Sequence, residues 1–271
     1  MTVRDDGISA HGAPDGNLHK AASMNASLEQ PFVRAASAVR ASRANMADAA
    51  RWMHPSWSMA LLDIDAAQFS RWASAVWQSS RGALERASLA LCETAGVAPP
   101  ALEQLSLPLL MARPEGAMPN PALFDACPAA LGLQILRMRA LSFRRVEVRR
   151  LIDKRTRALL SDWAGVAVDQ LCVDAHLAEA PNVATLQTQV RMPALASLDA
   201  DGLAIEGLLL IERDCGAQRA SPFPLLRCAL SRDLQAPAWF ARLSPDVDSR
   251  GTVRLFARLP RLLPEWAWLF G

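Results

Sequence analysis

Cys172 and His176, four residues apart in CVDAH, are the nearest this chain comes to half of a metal site. On a helix that spacing puts both on one face, and thiolate and imidazole are donors that zinc accepts. A closed site needs four such donors, and no second pair at ligand spacing completes it. An ordinary thiol and an ordinary histidine are therefore expected, with no metal and no other cofactor. His54 and Ser56 are close in MHPSW, but neighbours in sequence do not make a nucleophile with an oriented base. Asp63 with Asp65, and Asp199 with Asp201, suit helix N-termini better than an acid/base pair. No GxxxxGK[ST], GxGxxG or GxSxG occurs, and Lys20 and Lys154 are the only lysines. The expectation is a protein that is not an enzyme.

The residues that stand out instead are charged. RMRALSFRRVEVRRLIDKR, from Arg137 to Arg155, continues to Arg157, and over that span nine basic residues face two acids, Glu147 and Asp153. The whole chain is only +2. The counterweight follows in sequence: from Asp162 to Asp214 there are nine acids against Arg191 and Arg213, so 9 − 2 = +7 is followed by 2 − 9 = −7.

Such a segment needs an element to display it. Read as one long helix from about Leu131 to Trp163, ended by Gly165, it places Leu133, Leu136, Ala140, Leu141, Val148, Leu151, Ile152 and Leu159 in one broad apolar sector. Arg139, Arg150 and Arg157 fall on another side, at separations close to whole turns, and form a candidate stripe for docking an acidic protein surface. Arg137, Arg144 and Arg155 land in or beside the apolar sector, where an unpaired charge is costly. They are expected to meet acids of the following block, with Asp199 and Glu206 as candidate partners. Duplex nucleic acid is an alternative ligand for the basic helix, disfavoured by the absence of interleaved aromatics and of a helix-turn-helix pattern, and by a pI of only about 8.4.

The rest of the chain reads as mostly α: a single multi-helix globular domain over residues 31–271, with at most one short strand pair and a flexible tail at 1–30. Hydrophobic residues make up 51% of it, ample for a core. A helix begins near Pro31 and is broken at HPSW, because Pro55 pushes His54 out of helical geometry. A second helical stretch runs from DIDAAQF to Gly96, and a Pro-rich connector covers about 99–128. Residues 181–192 read as a strand or a loop. LDADGLAIEGLLLIERD reads as a helix capped by Asp199 or Asp201. Pro260 and Pro264 cut the C-terminal apolar stretch into short turns, with Leu255, Leu259, Leu262, Trp266 and Leu269 on one face. Trp57, Trp266 and Trp268 are the aromatic candidates for partner contact, although docking of the apolar end on its own domain is the expected use of most of that stretch. Five widely spaced cysteines without a CxxC fit free thiols in a reducing compartment. MTVRDDGISAHGAPDG lacks the apolar core of a secretory signal, and the apolar runs are too short to span a bilayer. A cytoplasmic protein without membrane insertion is expected.

MHPSW near the front, LGLQILRMRALSFRRVEVRRLIDKRTRALLSDWAG in the middle and LPRLLPEWAWLFG at the end, in that order, resemble the SctK proteins of bacterial type III secretion, most of all the Hrp branch of plant-associated bacteria. The resemblance covers roughly residues 50–271. It implies a non-enzymatic cytoplasmic component of the sorting platform beneath the injectisome, peripheral to the inner membrane. Such proteins bridge the cytoplasmic domain of the ring protein SctD to the pod protein SctQ, which carries SctL and the ATPase SctN. It brings no catalytic or partner-contact positions with it.

Overall fold

The computed structural model describes residues 16–112, 114, 116–173, 181–216 and 221–271, with side chains from residue 32 onward. His176 lies outside the described residues, as do residues 1–15 of the expected tail. The architecture is mostly helical. Helix α1 (Gly16–Ala47) starts well before Pro31, so part of the expected tail is helix. Short α2 (Ala49–Trp52) and α3 (Pro55–Leu62) flank His54, whose imidazole accepts the Ser56 N–H while Pro55 occupies the first helical position. The next stretch is two helices, α4 (Ala66–Gln78) and α5 (Arg81–Thr94). Asp65 and Gln68 form a capping box on α4, Ser80 caps α5, and Gly96 follows α5 at φ +71.

The Pro-rich connector holds α6 (Leu102–Ser106), a buried 3₁₀ turn at Pro121–Ala126, and the antiparallel pair β1 (Leu110–Met111) and β2 (Met118–Pro119), with Leu110 opposite Pro119. The strand pair therefore sits here. Residues 181–192, read from sequence as strand or loop, contain a helix, Val183–Gln189. Asn182 starts it by accepting the Thr185 N–H, a capping signal that the weak apolar period there concealed.

The basic stretch departs furthest from expectation. It is three helices, α7 (Ala129–Phe143), α8 (Arg145–Arg150) and α9 (Lys154–Ala164). Arg144 is a bent joint and Leu151 is extended. Asp153 then restarts the chain by accepting the backbone N–H groups of Arg155 and Thr156. Gly165 closes α9 at φ +70. The remaining helices are α10 (Val168–Cys172), α11 (Val183–Gln189), α12 (Ala200–Asp214), α13 (Pro224–Arg227), α14 (Gly251–Phe256), α15 (Leu259–Leu262) and α16 (Ala267–Phe270).

Helix α7 is the central strut. Ile135, Leu136, Met138, Arg139, Ala140 and Leu141 are all buried, so it is surrounded on every side and carries no simple amphipathic stripe. Its main partner is α12, and the two backbones approach closely at Gly207. A Cβ there would stand 1.8 Å from the Leu136 carbonyl oxygen. Gly207→Ala must push the two central helices apart and is expected to cost about 3 kcal/mol, read by urea or thermal unfolding. A cost below about 1 kcal/mol would mean that the helices are not in contact there.

The C-terminal segment closes the same core. Leu255, Leu259, Leu262, Leu269 and Phe270 are buried, and Phe124 meets Phe256 and Phe270 edge-on. A second cluster, around Met46, Met53, Val76, Leu84 and Leu91, packs α1 to α5 together.

Candidate interaction surface

The bend at Arg144 and the break at 151–153 divide the basic residues into two populations. The first is internal. Arg144 is fully buried; its Nε and Nη2 reach the Glu206 carboxylate at 2.8 Å each, and its Nη1 reaches Glu147 at 3.0 Å and the Pro193 carbonyl at 2.9 Å. Burial raises the Glu206 carboxyl above its ordinary range, and the Arg144 guanidinium pulls against that. Arg137 pairs with Asp201 at 3.7 Å. Asp199 is the cap of α12, accepting the Gly202 N–H at 2.7 Å, and is not an ion-pair partner of the basic segment.

Arg139, assigned from sequence to an exposed stripe, is fully buried. Its Nη1 meets Asp248 at 2.8 Å, its Nη2 meets Asp214 at 3.0 Å, and its Nε donates to Thr252 at 2.9 Å. Asp248, at φ +55, also accepts from Arg145 and Arg254. Gly251 leaves room for this cluster, since a Cβ there would lie 2.4 Å from Arg139 Nη2. Sequence reasoning missed Asp248 because it falls outside the acidic block; an aspartate in a turn carries no signal that it will be buried against arginines.

The second population is external. Helix α9 restarts with a new phase after the break, so the wheel for one continuous helix fails at that point. Arg150 is exposed as expected, but Arg157 leans on α10 and pairs with Asp169. Arg155, expected to pair internally, is exposed, and the described carboxylate that its charge acts on is that of Asp153 at the start of its own helix. Ile152 and Leu159, expected in the core, are instead 93% and 46% exposed. Arg149, Arg150, Lys154 and Arg155, which flank Ile152 along the chain at this basic corner, are exposed, as is Val173, next to the Cys172 carbonyl that Arg149 holds.

A third grouping lies at the ends of the chain. Arg34 of α1 donates to the Ser106 carbonyl at 2.8 Å and to the Gly271 carbonyl at 3.3 Å, which ties α1, α6 and α16 together. On these three elements and their flanks Phe32, Val33, Leu102, Leu107 and Trp268 are exposed. Trp268 leans on Trp266, with ring centroids 6.1 Å apart, while Trp266 itself packs half-buried against the core. Trp57 is engaged internally: its indole N–H donates to the Leu230 carbonyl at 2.9 Å, and Arg227 lies over its ring. His54 Nδ1 is 2.8 Å from Ser56 Oγ, and that hydroxyl accepts the Arg232 N–H, so the pair holds a loop in place.

Among the described residues no group of His, Cys, Asp and Glu could hold a metal ion, the cysteines are all free, and no helix is long and apolar enough to cross a membrane. No curated protein and no solved structure matches the chain. Residues 30–265 match the family described as bacterial type III secretion protein (HrpB4). That span takes in α2 to α15 with most of α1, and therefore both the buried ion clusters and the basic corner: the chain belongs to the HrpB4 family of bacterial type III secretion proteins.

Proposed function

We propose that the protein is a non-enzymatic cytoplasmic adaptor of its secretion system, bridging the cytoplasmic domain of an SctD-like inner-membrane ring protein to an SctQ-like pod protein of the sorting platform, and through it to SctL and SctN. A bridge must contact two partners at once. The observation that carries the proposal is the pair of unlike exposed surfaces on separate elements: the apolar group of Phe32, Val33, Leu102, Leu107 and Trp268, and the basic corner from Arg149 to Arg155. Exposed contiguous apolar groups and clustered unpaired charge are both features of protein-contact surfaces. Membership of a type III secretion family supplies the setting.

The test is light scattering on the full chain mixed with the SctD-like cytoplasmic domain, with the SctQ-like protein, and with both, at low and moderate salt. A ternary species is expected, with at least one contact weakening as salt rises, because charge–charge docking is screened. If each partner binds alone but never in the other's presence, the two compete for one surface and the bridge is wrong. Binding to duplex DNA with a steep salt slope, and to neither protein, would replace the adaptor by a nucleic-acid binder.

A further inference from the structure

We infer that the α8–α9 corner is a preformed docking site for an acidic protein surface with an apolar pocket at its centre, and that Ile152 is the side chain that fills the pocket. This rests on the adaptor role and specifies the contact that would make it salt-sensitive.

Ile152 is 93% exposed, the most exposed of the large apolar side chains described, and yet the loop that carries it is fixed. On one side the Leu151 N–H donates to the Val148 carbonyl at 3.1 Å, and the Leu151 carbonyl accepts from Arg157 at 3.2 Å. On the other, Asp153 is committed to capping α9. An aliphatic side chain held out into water by a pinned turn has no internal packing to explain it, and a fixed turn loses little freedom on binding.

The surroundings fit the same partner. Arg149 and Arg150 precede Ile152, and Lys154 and Arg155 follow it; all four are exposed. The described carboxylate beside them is that of Asp153, which the Thr156 and Arg155 hydrogen bonds, and then the Arg155 charge, hold below its ordinary range. Arg149 donates to the Cys172 carbonyl at 2.8 Å, which brings Val173 up to the corner. Leu159 lies one helical turn beyond Arg155 on α9. Among the described residues the surface thus has a protruding isoleucine, two further exposed aliphatics on α9 and just after α10, and four cations against the charge of Asp153. An aliphatic anchor with a charged rim calls for an apolar pocket edged by Asp and Glu. A bilayer would take a broad apolar face, and single-stranded nucleic acid would take aromatic platforms; the corner offers neither.

The experiment measures affinity for the SctD-like cytoplasmic domain and, separately, for the SctQ-like protein, each at three salt concentrations. It compares the unmodified chain with Ile152→Ala and with the combined Arg149→Glu, Arg150→Glu, Lys154→Glu, Arg155→Glu variant. For one of the two partners, Ile152→Ala should weaken binding about tenfold and keep the salt dependence. The charge-reversal variant should weaken it by about a hundredfold or more and flatten or invert the salt dependence. Both variants should keep the melting temperature of the unmodified chain. If the unmodified chain binds and both variants bind equally well, the corner is not the site, although the adaptor role stands. If the unmodified chain binds neither protein, the adaptor role itself falls, and this inference with it. Binding of the unmodified chain to phosphatidylglycerol vesicles, lost in both variants while protein affinity is unchanged, would assign the corner to a membrane surface and overturn the inference.

Discussion

Arg144→Ala is expected to cost the protein about 3–5 kcal/mol, because it leaves the buried Glu206 carboxyl without the guanidinium that compensates its desolvation. For a chain of this length that corresponds to a drop of about 10 °C in melting temperature. The side chain is fully buried and joins three places: the α7–α8 joint that it forms itself, α12 through Glu206, and the 193–195 segment. It reaches that segment through the Pro193 carbonyl and through Glu147, which accepts the Leu195 N–H at 2.7 Å. The double variant Arg144→Met, Glu206→Leu removes both charges and should recover most of the loss, as buried ion pairs are often replaceable by apolar residues of similar size. Urea unfolding of the two single variants and the double variant measures the coupling directly. Near-additive losses would show that the two side chains do not interact. Asp199→Ala, by contrast, removes only a helix cap and should cost about 1 kcal/mol.

The second large effect depends on pH. Asp125 sits in the buried 3₁₀ turn, where its carboxylate accepts the Leu225 and Leu226 N–H groups at 3.2 and 2.8 Å, and burial pushes it up to about 7. Three nearby thiols, Cys92, Cys127 and Cys228, are raised chiefly by their own burial and further by the Asp125 charge. In the unfolded chain the same carboxyl ionises near 4. Between these values the unfolded chain releases a proton that the folded chain keeps, so ionisation favours unfolding and stability falls as pH rises from about 4 to about 7, then levels off. The shift of about three units corresponds to about 4 kcal/mol over the whole window, of which about 2–3 kcal/mol should be lost between pH 5 and pH 7. Asp125→Asn should be less stable at pH 5, since one of the two backbone donors loses its acceptor, and should lose most of the slope. An unchanged slope in that variant would assign the pH dependence to other groups, Glu206 first among them.

Much of the helical layout could be read from the chain because local chemistry decides it. Pro55 ends a helix, Gly165 closes one, Asp199 starts one, and Pro260 and Pro264 divide the last turns. The basic segment could not be read in the same way, because a helical wheel assumes an unbroken helix. Asp153 followed by Thr156 is the one local cue that α9 restarts there, and it is easily lost inside a run that is helix-favouring throughout. That single break moved Ile152 and Leu159 from core to surface. Arg139 went the other way for a tertiary reason: α7 is enclosed on all sides, so a polar position on its wheel faces Asp214 and Asp248 and not water. Asp169, Asp201, Glu206 and Asp214 of the acidic block pair with arginines of the basic segment, yet Asp248 comes from outside that block, and among the described residues no ion pair forms at the four corner cations. Charge totals constrain how much pairing is possible; the backbone breaks decide which residues take part.

The basic segment is therefore divided between a buried half that holds the fold and an exposed corner. The most direct test is to melt the charge-reversal variant at Arg149, Arg150, Lys154 and Arg155 beside the single variant Arg144→Ala. Four reversed charges at the corner should leave the melting temperature within about 2–3 °C of the unmodified chain, whereas one buried arginine should lower it by about 10 °C. If the corner variant unfolds and the Arg144 variant does not, the two populations have been assigned the wrong way round.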